Sequence, residues 1–303
     1  MNLSDLASSG SPTLLVGTDF SPASAVAFAW AQAIARAHHA AIDLVHALSL
    51  PLPAGEMVSL TPEFLDEVER AAWRKLEEIR EKVDPKDCAV RLRLAPGQPS
   101  QVLLDFAHSL APELIVLGTR GLTGLRRFLL GSTTERVVQH SPVPVLAVHP
   151  ENRQPEKSLR TIVVPTDFSA DAERAIATAL RLLSPVSEAR LILLHIYNLP
   201  IEYTAYGPIP LSASYLRDVG AQAVAHLDEV AASLARPGLA IEPFVREGYP
   251  PEVITAEAER QGADLIAMGT RGRSGLPHLL LGSTAERVVQ TAGCPVLTVR
   301  RGG

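Results

Sequence analysis

The chain repeats itself. Residues 118–148 and 269–299 agree at 20 of 31 positions without a gap, 151 residues apart. Both segments open on the same glycine-rich run, GTRGLTGLRRFLLGST (118–133) and GTRGRSGLPHLLLGST (269–284). Each half also begins alike, with LLVGTDFSPAS (14–24) and IVVPTDFSADA (162–172). A period of about 150 residues is far longer than a solenoid unit, so it signals a duplicated domain. The polar stretch HPENRQPEKSLR (149–160) reads as a linker. Two domains are expected, 1–150 and 151–303, each long enough to bury a core of its own.

Within each copy short apolar runs alternate with amphipathic helical patterns. Strands are expected near 13–18, 41–47, 89–95, 113–117 and 144–148, and again near 161–166, 190–196, 240–246, 264–268 and 295–299. They are rich in Val, Leu and Ile on both faces, as strands buried within a parallel sheet are. Ser21-Pro22 gives an N-cap followed by proline, and Val26, Trp30, Ala33, Ile34 and Ala37 share a helical face. The second helix carries Leu65, Val68, Ala72, Leu76, Ile79 and Val83 on one stripe, repeated by Leu216, Val219, Ala223, Leu227, Val230 and Leu234. Short helices near 99–109 and 132–140, mirrored near 250–261 and 283–291, complete each copy. This order predicts a parallel sheet with helices on both faces and right-handed crossovers. Ligands bind such sheets beyond the carboxyl ends of the strands, where the strand order reverses.

Composition narrows the partners. With 47% hydrophobic and 20% charged residues the chain is an ordinary globular one. A net charge of −5 without a basic run disfavours nucleic acid and anionic membranes. The two cysteines, Cys88 and Cys294, lie in different halves without metal spacing, which suits a reducing cytosol. The opening MNLSDLASSGS lacks a basic and an apolar region, and no apolar run is long enough to span a bilayer. A cytoplasmic location is expected.

The glycine-rich run follows a strand and precedes a helix, yet it takes about 13 residues where such connections use about 2–6. Its form is G-x2-G-x9-G-[ST], with Gly118, Gly121, Gly131 and Ser132 repeated as Gly269, Gly272, Gly282 and Ser283. Glycines allow positive φ and close approach of a ligand, and the helix that follows offers its N–H groups and dipole to an anion. Arg120 and Arg271 add guanidinium groups, so phosphate is the natural candidate. A second explanation needs no ligand: Ser132 with Glu135, and Ser283 with Glu286, spell S-x-x-E capping boxes. No lysine follows the last glycine, which argues against a P-loop phosphotransferase. Asp19 and Asp167 follow the first strand of each copy, where a carboxylate can accept from a ribose hydroxyl or simply begin a helix.

Together the loop, the Asp after the first strand, the ERVVQ helix and the terminal strands PVPVLAV and CPVLTV resemble the universal stress protein family, as two tandem domains spanning nearly the whole chain. The resemblance implies two Rossmann-like (adenine nucleotide hydrolase-like) domains, each a five-stranded parallel sheet of order 3-2-1-4-5. It also implies an ATP (or ADP or AMP) site in each domain, with Mg or another divalent ion carried by the phosphates and no metal held directly by protein. Carried over, the first site comprises Asp19, Ala47, Gly118, Arg120, Gly121, Gly131, Ser132 and Thr133. The second comprises Pro165, Asp167, Ile196, Gly269, Arg271, Gly272, Gly282, Ser283 and Thr284. Gly17 departs from the pattern, since the second copy and many relatives have proline there, as at Pro165.

A catalytic base for hydrolysis is not evident. Arg126 and Arg127 become Pro277 and His278 in the second copy, and His46 and His195 read as structural imidazoles. Three functions stay open: a nucleotide-binding stress-response protein whose conformation or partner changes with ATP, a slow ATP hydrolase using the same sites, and an interaction module with vestigial loops. The fifth strand of each copy would be a sheet edge seeking a partner, so the two domains are expected to pair through these strands, with a further homodimer conceivable.

Overall fold

The computed structural model describes residues 12–49, 61–121, 130–153, 155, 159–183, 188–197, 202–204, 207–209, 213–272 and 281–300, with backbone alone at 202–204, 207–209 and 213–219. The chain divides into two compact units between Lys157 and Ser158.

The first unit runs β1 (Thr13–Gly17), α1 (Pro22–His38), β2 (Ala41–Leu48), α2 (Pro62–Arg80), β3 (Val90–Pro96), α3 (Pro99–Leu110), β4 (Leu114–Gly118), α4 (Ser132–His140) and β5 (Val145–Val148). Its strands are parallel and ordered β3-β2-β1-β4-β5. The reversal falls between β1 and β4, so the crevice there opens at the ends of Gly17 and Gly118. Continuous apolar runs make this sheet: Leu14, Leu15 and Val16 are fully buried, as are Ile115, Val116, Leu146 and Ala147. The outer strand β3 is the exception, half-buried along most of its length.

The second unit repeats the plan with β6 (Thr161–Thr166), α5 (Ala170–Leu182), β7 (Ala189–Tyr197), α6 (Ala213–Ser233), β10 (Leu239–Glu247), α7 (Pro250–Arg260), β11 (Leu265–Gly269), α8 (Ser283–Thr291) and β12 (Val296–Val299). Its parallel order, β10-β7-β6-β11-β12, is again 3-2-1-4-5. A small antiparallel pair, β8 (Glu202–Thr204) with β9 (Gly207–Ile209), stands between β7 and α6 and was not expected.

Local chemistry explains the helix ends. Ser21 caps α1 by accepting from the Ser24 N–H at 3.2 Å, and Pro22 takes the first turn. The helix closes at His39, whose φ of 52° turns the chain and whose N–H returns to the Ala35 carbonyl. The stripe on α2 is shorter than its spacing suggests. Ala72 and Leu76 are buried, but Leu65 is 40% exposed because it precedes the stretch that meets the sheet. Its counterparts Leu216 and Val219 lie outside the residues whose side chains are described. The expected linker also begins later than its composition implies. His149 to Arg153 fold back, with the His149 N–H on Asn152 Oδ1 at 2.7 Å and the Trp30 indole donating to the Arg153 carbonyl at 3.1 Å.

Candidate functional site

The first strand delivers Thr18-Asp19-Phe20-Ser21 to the crevice. Asp19 Oδ1 accepts from the Ser21 N–H at 3.0 Å, and Thr18 Oγ1 accepts from the Phe20 N–H at 3.1 Å. These bonds hold Phe20 at φ 63°, in the left-handed region that residues with a side chain rarely occupy. The second copy repeats the corner, with Phe168 at φ 61°, the Ser169 N–H on Asp167 Oδ1 at 3.1 Å and the Phe168 N–H on Thr166 Oγ1 at 3.0 Å. Such strain costs about 1–3 kcal/mol and concentrates at functional sites. Each phenylalanine ring rests on a histidine of the neighbouring strand, Phe20 on His46 at 4.3 Å and Phe168 on His195 at 4.6 Å between centroids.

Those histidines are structural, as their placement on the second strand suggests. His46 Nδ1 lies 2.8 Å from the Thr18 carbonyl and His195 Nδ1 2.8 Å from the Thr166 carbonyl. Burial lowers the His46 pKa, opposed by the bond to Thr18 and by Asp19, and aided weakly by Lys75. The folded chain therefore keeps this ring neutral where the unfolded chain, with a pKa of about 6.5, takes up a proton. The stability it contributes is complete above about pH 6.5 and is lost as pH falls from there through the lower folded value. His46→Asn, which keeps a donor but does not titrate, should flatten the fall of the urea midpoint between pH 7 and 5.5. An unchanged slope would remove His46 from the pH response.

The glycines of the loop act differently from expectation. None of the six has a positive φ; Gly131 sits at −62° and Gly282 at −71°. Close approach is what excludes a side chain, and the approaching atoms are the protein's own. A Cβ at Gly118 would fall 2.9 Å from the Ala23 carbonyl carbon, in the first turn of α1. At Gly121 it would meet Asp19 Oδ2 at 2.9 Å, and at Gly272 it would meet Asp167 Oδ2 at 2.8 Å. At Gly131 it would lie 3.0 Å from the Thr119 carbonyl oxygen. The aspartate after the first strand and the second loop glycine are thus one packing unit in both domains.

The loop is closed at its neck. The Gly131 N–H donates to the Thr119 carbonyl at 2.8 Å, and the Gly282 N–H to the Thr270 carbonyl at 2.8 Å. Leu130 and Leu281 are buried just before these glycines. Thr134 Oγ1 donates to the Gly118 carbonyl at 2.7 Å, fixing the start of α4 to the end of β4. The inner segments 122–129 and 273–280, with Arg126, Arg127, Pro277 and His278, lie outside the described residues.

The capping boxes do not form. The N-cap residues are Gly131 and Gly282, neither of which can supply a side-chain acceptor, and Ser132 and Ser283 are already the first helical residues. Glu135 accepts instead from Gln139, and Glu286 from Gln290, each at 3.3 Å. The serine sits one position too late to cap, so α4 and α8 begin without a side-chain cap.

In the first domain Asp19, Ala47, Gly118, Arg120, Gly121, Gly131, Ser132 and Thr133 all line one cleft of about 290 Å³. That volume is at the low end of the range for small-molecule pockets. Thr18, Ser24, His46, Pro99, Leu103, Thr119 and Thr134 are among the other residues of its wall. The threonines went unremarked in the sequence, although Thr18 and Thr119 recur as Thr166 and Thr270 in the second copy. Arg120 reaches the cleft but is ion-paired with the carboxylate of Glu151, from the turn after β5. In the second domain Asp167, Arg271 and Gly272 come together, with Ser169 Oγ 3.5 Å from the Arg271 carbonyl. Gly269 packs on the first turn of α5, while Gly282, Ser283 and Thr284 start α8. Pro165 is the last but one residue of β6, opposite Leu194, and Ile196 lies on β7 opposite Arg246.

Gly17 and Pro165 differ for a packing reason. A Cβ at Gly17 would lie 2.5 Å from Leu117 Cδ2 and 3.2 Å from Leu103. The repeat places the unbranched Met268 where Leu117 stands, leaving room for proline in the second copy. Among the described residues no group of three or more His, Cys, Asp or Glu is placed to hold a metal ion, and no helix is long and apolar enough to cross a membrane.

Comparison with known proteins agrees with this architecture. The sequence profile of the universal stress protein family matches residues 11–149 and 158–300. A universal stress protein of Mycolicibacterium smegmatis is 28% identical over 298 residues, covering 95% of this chain and 96% of its own. A universal stress protein of Methanocaldococcus jannaschii is 33% identical over 151 residues, 49% of this chain and 86% of its own, about one domain's worth. Among solved structures, a universal stress protein from Archaeoglobus fulgidus superposes with a TM-score of 0.70 at 22% identity, over 96% of this chain and 98% of that one. The chain belongs to the universal stress protein family, as a tandem of two of its domains.

Proposed function

We propose that the chain is an adenine-nucleotide-binding stress-response protein, with one ATP site per domain, whose conformation or partner changes when nucleotide binds. The observation that carries this reading is the first cleft, in which the motif residues meet around a helix start that no side chain caps. Uncapped N–H groups and a helix dipole favour a phosphate. Asp19 and the end of β2 at Ala47 also line the cleft, and they suit a ribose and a base. A divalent ion would enter with the phosphates. Within each unit's own sheet the fifth strand is terminal, which supports pairing of the domains, or of whole chains, through β5 and β12. Two free thiols and no disulfide among the described residues suit a reducing cytoplasm.

Quantifying nucleotide released from the purified, denatured protein tests the reading, together with calorimetry using Mg-ATP. One or two nucleotides per chain are expected. Gly131→Val with Gly282→Val, which forces side chains against the neck carbonyls, should abolish binding. A nucleotide-free protein that gives no heat with Mg-ATP would leave only an interaction module. Slow ADP release, lost in the double variant, would add weak hydrolysis to the function.

A further inference from the structure

We infer that the two sites are unequal at their phosphate ends: Thr270 and Arg271 of the second domain form an uncompensated cationic cradle for a highly charged phosphate chain, whereas Glu151 neutralises Arg120 in the first. The inference rests on the adenine-nucleotide reading above and extends it to which nucleotide each site prefers.

The contrast lies at equivalent positions. In the first domain both residues after β4 are engaged. Thr119 Oγ1 is 2.7 Å from His149 Nδ1, and Arg120 Nη1 is ion-paired with Glu151 Oε1. Both partners come from the turn that follows β5. Extending the ungapped repeat by three residues puts Arg300 where His149 stands and Gly302 where Glu151 stands. At these two positions the second copy therefore carries neither the imidazole nor the carboxylate.

Its structure shows the result. Thr270 is 1% exposed, and its Oγ1 is buried without a hydrogen-bond partner. The Nε atoms of Arg271 and Arg120 are both buried without a partner, but only Arg120 has an ion pair among the described residues. Buried polar atoms are nearly always paired, so the orphaned Thr270 hydroxyl, beside a guanidinium that has no carboxylate, marks a place where a ligand completes the set. The Thr270 N–H donates to the Val299 carbonyl at 3.0 Å, which brings Arg300 alongside at the end of β12. Arg271 thus offers its guanidinium to the second site without the carboxylate that Glu151 brings to Arg120 in the first. Asp19 and Asp167, and Glu135 and Glu286, are common to both sites and cancel in the comparison. A guanidinium gains most from the ligand with most phosphate charge. The second site should therefore select ATP over AMP, and the first should discriminate little.

Calorimetry on the full chain, titrated separately with Mg-ATP and AMP, tests this. The parent should show two classes of site for Mg-ATP and closer affinities for AMP. Arg271→Ala should weaken the tighter Mg-ATP class by about tenfold or more, with a smaller effect on AMP. Arg120→Ala should weaken the looser class by less. Glu151→Gln, which releases Arg120, should tighten the looser Mg-ATP class severalfold and bring the sites together. Matching melting temperatures would assure that each variant is folded. Two equal Mg-ATP sites, equal losses from the two arginine variants, or no gain from Glu151→Gln would overturn the asymmetry alone. No heat from either nucleotide in any form would overturn the nucleotide reading and the asymmetry with it.

Discussion

Valine in place of Gly118 should lower the stability of the first domain by about 3 kcal/mol, and Gly269→Val should do the same to the second. Overpacking usually costs less where a flexible side chain can swing away. Here the obstruction is backbone. The Cβ would stand 2.9 Å from the Ala23 carbonyl carbon, 3.0 Å from its oxygen and 3.1 Å from the Ser24 nitrogen. That turn of α1 is held by the Ser21 cap and by the buried Ala27, Trp30, Ala31 and Ile34 further along the helix. At Gly269 the obstruction is Asp171 and Ala172 of α5. Either the helix lifts or the strand end does, and the strand end also carries the carbonyl that accepts from Thr134. Urea denaturation, followed by a probe in each domain, should show the midpoint of the altered domain falling. An unchanged midpoint would mean that α1 can shift at little cost.

Asp19→Ala combined with Asp167→Ala should weaken Mg-ATP binding by about 10- to 100-fold, the range set by one hydrogen bond to a charged group at each site. Each carboxylate has two duties that the variants can separate. One oxygen terminates the turn, accepting from Ser21 or Ser169. The other lies against the second loop glycine, beside the cleft. Asparagine keeps an oxygen for the turn and loses the charge, so Asp19→Asn with Asp167→Asn should melt close to the parent and still bind weakly. Asparagine variants that bind as tightly as the parent would confine the aspartates to the turn.

The fold was legible because a buried parallel strand leaves a plain trace. TLLVG, LIVLG and VLAV are apolar on both faces, and the duplication gave each assignment a second test. The β8–β9 hairpin left no such trace, since three-residue strands are too short to show a period. The same residues that point to the first cleft line it, but for reasons that their spacing does not show. S-x-x-E matched a capping box by spacing alone, and the glycine before the serine took the cap position. The glycines suggested backbone freedom or a ligand's approach, when contacts with helix α1, Asp19 and Thr119 account for them. Pairing between distant segments was invisible in either local pattern. Nothing near Arg120 in the sequence announces Glu151, which arrives from beyond the next strand.

The closed neck has a consequence for how such a chain can change. Because Gly131 bonds back to Thr119, and Gly282 to Thr270, the two ends that flank each intervening segment are held together as one fixed doorway. The positions of β4 and α4 are then set without reference to what lies between. Between these anchors the two copies differ in sequence, LTGLRRFL against RSGLPHLL, while the frame on either side stays the same. A designer wishing to graft a recognition peptide beside the cleft, or to lengthen the loop, would have the doorway as a ready-made pair of anchor points.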